Sequence, residues 1–168
     1  MDSRISQLTS LSPLDGRYSS YTADLQQIFS EFGLIYHRVQ IEIGWLKALA
    51  EHPEIDEVQP FSPVALEYLD SLIRDFSLDD AQRVKDIEKT TNHDVKAIEY
   101  FIKERLSKQP ELAEASEFVH FACTSEDINN LAYARMLKAA RDEVMLPDLE
   151  LVLAKGVEMA HAWAAQPM

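Results

Sequence analysis

The run Lys89–Phe101, KTTNHDVKAIEYF, sets the hydroxyls of Thr90 and Thr91, the amide of Asn92, the imidazole of His93 and the carboxylate of Asp94 ahead of an apolar repeat. Two chemistries suit that set. Thr, Asn and Asp are ordinary helix caps, because their side chains accept hydrogen bonds from the unpaired amides of a first turn. The imidazole points to the other. A histidine cation gains nothing at the positive end of a helix dipole, so His93 reads as a neutral ring serving a partner, such as an anionic ligand held by free backbone amides.

The pattern recurs. CTSEDINN, from Cys123, places Thr124 and Ser125 at a helix start with Glu126 and Asp127 in the first turn. A third polar knot, SPLDGRYSS, sets Arg17 and Tyr18 just after an Asp-Gly turn. Arginine can grip a phosphate or carboxylate with two parallel bonds, although a lone exposed arginine is far more often a solvated charge. Each knot alone is explained by capping or solvation; three of them hint at a ligand with several anionic groups.

The elements that position these residues are helices, and the chain reads as all-α. From Thr22 to His52, Leu25, Ile28, Phe32, Ile35, Val39, Leu46 and Leu49 recur at helical steps. So broad an apolar surface implies burial on several sides, with Gly33 and Gly44 marking breaks or close contacts. Ser62 and Pro63 open a second helix with Leu66, Leu69, Ile73 and Phe76 on one stripe. SLDD at Ser77–Asp80 resembles a capping box ahead of Ala81, Val84 and Ile87. Thr91 or Asn92 is expected to cap the helix that turns Val95, Ile98, Ile102 and Leu106 inward, leaving His93 and Asp94 in its first turn. The helix after Ser125 carries Ile128, Leu131, Met136 and Ala139. Pro147 then kinks or restarts it, ahead of Leu149, Val152, Leu153, Val157, Ala160 and Trp163, a stripe that needs neighbouring helices.

Composition narrows the class. The chain has 168 residues, 46% hydrophobic, with four glycines, enough to bury a sizeable core. Sixteen Lys and Arg against 29 Asp and Glu give a formal charge of −13, which repels phosphate backbones and anionic lipid. Nucleic-acid and membrane roles are therefore disfavoured. No apolar signal segment opens the sequence and no run is long enough to span a bilayer. Cys123 is the single cysteine, so an internal disulfide and a two-cysteine metal knuckle are excluded, and a cytoplasmic location fits best. His120 and Cys123 read as core or near-core residues, Trp45 and Trp163 as packing. His37, His52 and His161 lack a second ligand type at metal spacing, so neither a metal nor a cofactor is expected.

Three segments, SPLDGRY, TTNHDVKAIEYFIKE and EFVHFACTSEDINN, resemble in order and spacing the N-terminal third of the adenylosuccinate lyase family, a branch of the fumarase/aspartase superfamily. The resemblance implies an all-helical chain with a small N-terminal domain, residues 1–115, followed by the start of a central helical bundle, residues 116–168. It implies a homotetramer whose sites draw on three subunits. Arg17 and Tyr18 match the pair that holds the phosphate end of the nucleotide; Asn92, His93 and Asp94 match a substrate-contacting segment; Thr124 and Ser125 match hydroxyls that bind the succinyl, later fumarate, carboxylate. The implied reaction is a β-elimination of fumarate from adenylosuccinate to leave AMP, and from the succinyl-carboxamide purine intermediate by the same chemistry. The family's general acid, a histidine in a Thr-His-Gly-Gln motif, and its base, a loop serine, have no counterpart here. His93 is accordingly expected to bind and stabilise charge, and these 168 residues alone are expected to be inactive and to self-associate. Two other readings stand beside this one: a neighbouring lyase such as argininosuccinate lyase or fumarase, against which the Arg17–Tyr18 pair argues, and a non-catalytic helical interaction module.

Overall fold

The computed structural model describes residues 8–167; residues 1–7 and Met168 lie outside the described part. Every regular element in it is helical: α1 (Ala23–Phe29), α2 (Glu31–Glu51), α3 (Pro63–Arg74), α4 (Leu78–Thr91), α5 (Asp94–Leu106), α6 (Pro110–Glu114), a 3-10 turn (Ser116–Phe118), α7 (Ser125–Ala139), a π-helical segment (Ala140–Met145) and α8 (Leu146–Trp163). No helix among the described residues is long and apolar enough to cross a membrane.

Helix α2 is the axis, and it touches α1, α3, α4, α5 and α7. Its broad apolar surface is the cause. Ile35, Val39, Ile43, Leu46 and Leu49 are buried against Leu69 of α3, Val84 of α4 and Ile98, Phe101, Ile102 and Leu106 of α5. A smaller cluster joins Ile28 of α1 to Met136 and Ala140. Along α7 the buried residues are Ile128, Ala132 and Met136, whereas Leu131, expected inward, is about half exposed at 54%.

Local chemistry sets most helix starts. Ser62 Oγ accepts the Ala65 N–H at 3.2 Å with Pro63 at the first helical position, and Ser77 and Asp80 form the reciprocal capping box. The long segment from Thr22 breaks at Ser30 rather than at a glycine. Ser30 is extended, and its Oγ accepts the Gly33 N–H at 3.2 Å to begin α2. Gly33 is the close contact instead: a Cβ there would stand 2.2 Å from the carbonyl oxygen of Ile28. Gly44 marks neither a break nor a contact, with nothing within 4 Å of the equivalent point.

Beyond α7 the backbone widens into the π turn, and α8 restarts with Pro147 in its first two positions. Proline lacks the N–H that would continue the ladder, so the disruption falls on the preceding turn. No residue of α8 is buried. Trp163 therefore does not pack as expected; it is 56% exposed, as the rest of the stripe is uncovered.

Gly33→Ala forces a side-chain carbon into backbone and is expected to cost about 1–3 kcal/mol by overpacking. Gly44→Ala, in open space within α2, is expected to stabilise by about 0.5–1 kcal/mol through helix propensity. Urea unfolding midpoints check both, and equal midpoints for the two variants would contradict the close approach of α1 to α2.

Candidate substrate-binding site

The α4–α5 junction turns on a single residue. Asn92 is left-handed, with φ 51° and ψ 34°, and its N–H closes α4 on the Glu88 carbonyl at 2.8 Å. Asparagine is among the few non-glycine residues that tolerate this region. Because Asn92 is spent on ending one helix, it does not cap the next, and neither does Thr91, whose hydroxyl donates to the His93 carbonyl at 3.1 Å. The cap is His93. Its backbone is extended and its Nδ1 accepts the Lys96 N–H at 3.1 Å. An accepting Nδ1 carries no proton, so this bond selects the neutral Nε2–H tautomer and leaves the other ring nitrogen as a donor. The ring is about half exposed, with 51% of its side-chain surface accessible.

The free amides expected at this helix start are largely taken. His93 occupies that of Lys96, and the Asp94 carboxylate occupies that of Val95. A ligand here meets side-chain donors, not a bare ring of backbone N–H groups. Asp94 also accepts from Arg38 Nη2 at 2.7 Å. Partial burial pushes its carboxyl up, but the Val95 N–H and the Arg38 charge outweigh that and hold it below the ordinary aspartate range.

Arg38 is the residue that joins the site. It lies on α2, 4% exposed, and its Nε donates to Asn129 Oδ1 of α7 at 2.9 Å while Nη2 reaches Asp94 of α5. The first turns of α5 and α7, carrying two of the three polar knots, are thereby tied to one guanidinium. At the start of α7 the Asp127 carboxylate accepts the Thr124 N–H at 2.7 Å and the Thr124 hydroxyl at 2.9 Å. Thr124 is thus committed to its cap. Ser125, the first helical residue, is partly exposed, and its hydroxyl has no hydrogen-bond partner among the described residues.

Arg17 and Tyr18 are not brought to these two knots. Both are exposed in the turns before α1, with the guanidinium 4.6 Å from the Tyr18 ring centroid. A cleft of about 270 Å³, walled by Trp45, Ala122, Cys123, Asp127 and Ile128, adjoins the start of α7. Another of about 440 Å³ is walled by Tyr36, His37, Gln40 and Arg135, and a third of about 670 Å³ by Arg83, Thr91, Tyr100 and Lys103. The two polar helix starts form an open surface.

Sequence reasoning passed over Arg38, Glu42 and Asn129. The signal was present in RVQIE, residues 38–42, where two opposite charges sit four apart inside a helix otherwise built for burial. His120 is near-core as read, its Nδ1 2.6 Å from Glu42 Oε1. Cys123 is partly buried, and burial, with the Glu42 and Asp127 charges, pushes its thiol up and away from reactivity.

The sequence profile of the family described as Lyase matches residues 16–166. The chain is 58% identical over 143 residues to adenylosuccinate lyase of Escherichia coli, an alignment covering 85% of this chain and 31% of that protein. It is 51% identical over 165 residues to the adenylosuccinate lyase of Haemophilus influenzae, covering 98% of this chain and 36% of the relative. The adenylosuccinate lyase of Legionella pneumophila strain Corby is 44% identical over 149 residues, 89% of this chain and 33% of that one. The chain thus spans about a third of the length of these relatives.

Arg38→Met removes a charged donor shared by two helices and is expected to cost about 1–3 kcal/mol. The difference should depend on pH. Because the folded-state pKa of Asp94 is depressed, its contribution is fully present above the ordinary aspartate value of about 3.9 and is lost as pH falls through the lower folded value. The gap in unfolding free energy between parent and variant should narrow in acid to the share owed to Asn129; a gap that stays constant down to strong acid would contradict the Arg38–Asp94 tether.

Proposed function

Because the chain belongs to the lyase family, we propose that it supplies one part of the substrate-binding surface of an adenylosuccinate lyase, which eliminates fumarate from adenylosuccinate to leave AMP. The observation that carries this reading is the tie through Arg38, which sets the Asn92–His93–Asp94 and Thr124–Ser125 helix starts on a common support. The substrate carries a phosphate and two carboxylates. Donors of the right kind lie at these two helix starts: the Nε2–H of His93, the hydroxyl of Ser125 and the side-chain amide of Asn92.

The elimination removes a proton from the carbon next to one succinyl carboxylate, leaving a doubly charged aci-carboxylate. The electron pair then forms the fumarate double bond as the C–N bond breaks, and the departing amine takes a proton. Donors fixed around the succinyl carboxylate hold it in the bound substrate and through the dianion alike, and this is the role assigned to Ser125 and His93. Thr124 contributes by setting the helix start, since its hydroxyl is engaged by Asp127. The bond that fills His93 Nδ1 leaves the ring without a basic nitrogen, which favours binding over proton abstraction. Arg17 and Tyr18 are assigned to the phosphate end. They stand apart from the other two knots in the single chain, so this assignment requires neighbouring copies, in line with a homotetramer that shares its sites between subunits. The same surface would accept the succinyl-carboxamide purine intermediate, because the chemistry lies on the shared succinyl group. A division into an N-terminal helical domain, residues 1–115, and the beginning of a helical bundle, residues 116–168, together with a cytoplasmic location, belongs to the same proposal.

Protein from the complete reading frame is expected to release fumarate from adenylosuccinate, followed by the ultraviolet change of the purine; release from argininosuccinate alone would move the assignment to the neighbouring lyase. Ser125→Ala should raise KM by roughly ten- to a hundredfold, the range for losing a hydrogen bond to a charged group. Residues 1–168 alone are expected to show no turnover and to self-associate through α8. A monomeric mass by light scattering would contradict the association.

A further inference from the structure

Helix α2 presents Arg38, Glu42 and Trp45 at steps of four and three, so the three share one face. Each reaches a segment beyond the helix. Arg38 holds Asp94 and Asn129, Trp45 Nε1 donates to the Phe121 carbonyl at 2.8 Å, and Glu42 Oε1 stands 2.6 Å from His120 Nδ1. The proposed chemistry makes no use of Glu42. Yet its side chain is fully buried, 0% exposed, and its second oxygen, Oε2, has no hydrogen-bond partner among the described residues. A buried carboxyl with an orphan oxygen opposes folding, and an apolar residue of similar size would pack there at less cost.

What Glu42 does hold is the turn that leads into α7. His120 and Ala122 flank Phe121 with φ of 65° and 58°, both left-handed, a region that side-chain-bearing residues rarely occupy. Such backbone persists only where the surroundings over-determine it. Here the surroundings are Glu42 on His120, Trp45 on Phe121, and Asp127 on Thr124. Burial pushes the Glu42 carboxyl up, against the pull of its His120 bond. It can donate to a bare Nδ1 or accept from Nδ1–H, so the contact survives a proton shift between the partners.

We propose that Glu42 is a positioning residue of the binding surface: acting through His120, it locks the 119–124 turn in its left-handed shape and so fixes where Ser125 stands. This rests on the reading of Ser125 as a carboxylate-binding hydroxyl.

The test compares Glu42→Leu and Glu42→Gln in protein from the complete reading frame, with amide hydrogen exchange over residues 119–127 and cleavage kinetics as separate readouts. Glutamine can donate or accept as the carboxyl does; leucine can do neither. Glu42→Leu is expected to speed exchange across 119–127 by at least tenfold while the core of α2 stays protected, and to raise KM at least tenfold with a smaller change in kcat. Glu42→Gln is expected to recover most of both losses. Unchanged exchange at 119–127 in Glu42→Leu overturns the proposal, as does an equal loss in the leucine and glutamine variants. If Glu42→Leu does not fold, His120→Asn, which suits left-handed backbone but falls short of Glu42, reads the same contact from the turn, and unchanged exchange there is equally fatal. A parent protein inert toward adenylosuccinate would defeat the lyase reading while the exchange measurement still decided the role of Glu42 in the turn.

Discussion

A guanidinium in a helical core must find acceptors, and Arg38 finds them only where α5 and α7 both begin. Its charge is permanent, so it cannot escape burial by losing a proton. The apolar contacts around it are less demanding. Ile35, Val39, Ile43 and their neighbours would gain similar energy from several registers of α5 against α2, because burial of apolar surface has no direction. A fork that must meet Asp94 and Asn129 together admits few. The hydrophobic core thus brings the helices together, and Arg38 decides how their polar ends align. That division explains why the two candidate ligand-binding helix starts are precise relative to each other although they lie more than thirty residues apart in sequence.

How this surface would hold an anion on a chain of net charge −13 is a question of range. Screening at physiological salt limits the overall field to about 8 Å, so contact-distance donors prevail over distant carboxylates. Many nearby cations are already committed. Glu99, 5% exposed, takes both Lys96 at 2.7 Å and Lys103 at 3.3 Å, so those lysines serve α5 rather than a ligand. Attraction for a substrate must then come from neutral donors at short range and from cations delivered by other segments. Arg17, unpaired with any carboxylate among the described residues, is suited to that second role.

What could be read from sequence alone follows the reach of each interaction. Capping by Ser62, Ser77 and Thr124 spans three residues, and those helix starts stand where their residue types place them. One local reading went astray because side chains compete for the same amides: His93 took the cap assigned to Thr91 or Asn92. The break before α2 fell at Ser30, and Gly33 is the close contact given as the alternative. The ties of Arg38 to Asp94 and Asn129, and of Glu42 to His120, cross 56, 91 and 78 residues. No local pattern encodes such partners; the sequence revealed only that charges were misplaced within a buried helix. Arg17 and Tyr18 stood out as a polar knot after an Asp-Gly turn, their phosphate role came from resemblance, and folding of one chain does not bring them to the other knots.

An open binding surface, a detached Arg17–Tyr18 pair and an uncovered α8 are three deficits with one physical remedy. Leu149, Val152, Leu153, Val157 and Trp163 are each between 53% and 69% exposed. Fully burying such a side chain contributes about 1.5–3 kcal/mol, so covering what remains exposed on these five would yield roughly 5–9 kcal/mol. Bringing two molecules together costs on the order of 4–15 kcal/mol in lost freedom. A pair of α8 stripes covers these five on each copy, roughly 9–18 kcal/mol in all, which offsets most or all of that cost. Burial on more than one side, by helices from several copies or from further along a longer chain, adds to that gain, and the same crowding would carry distant polar segments toward the helix starts that Arg38 aligns.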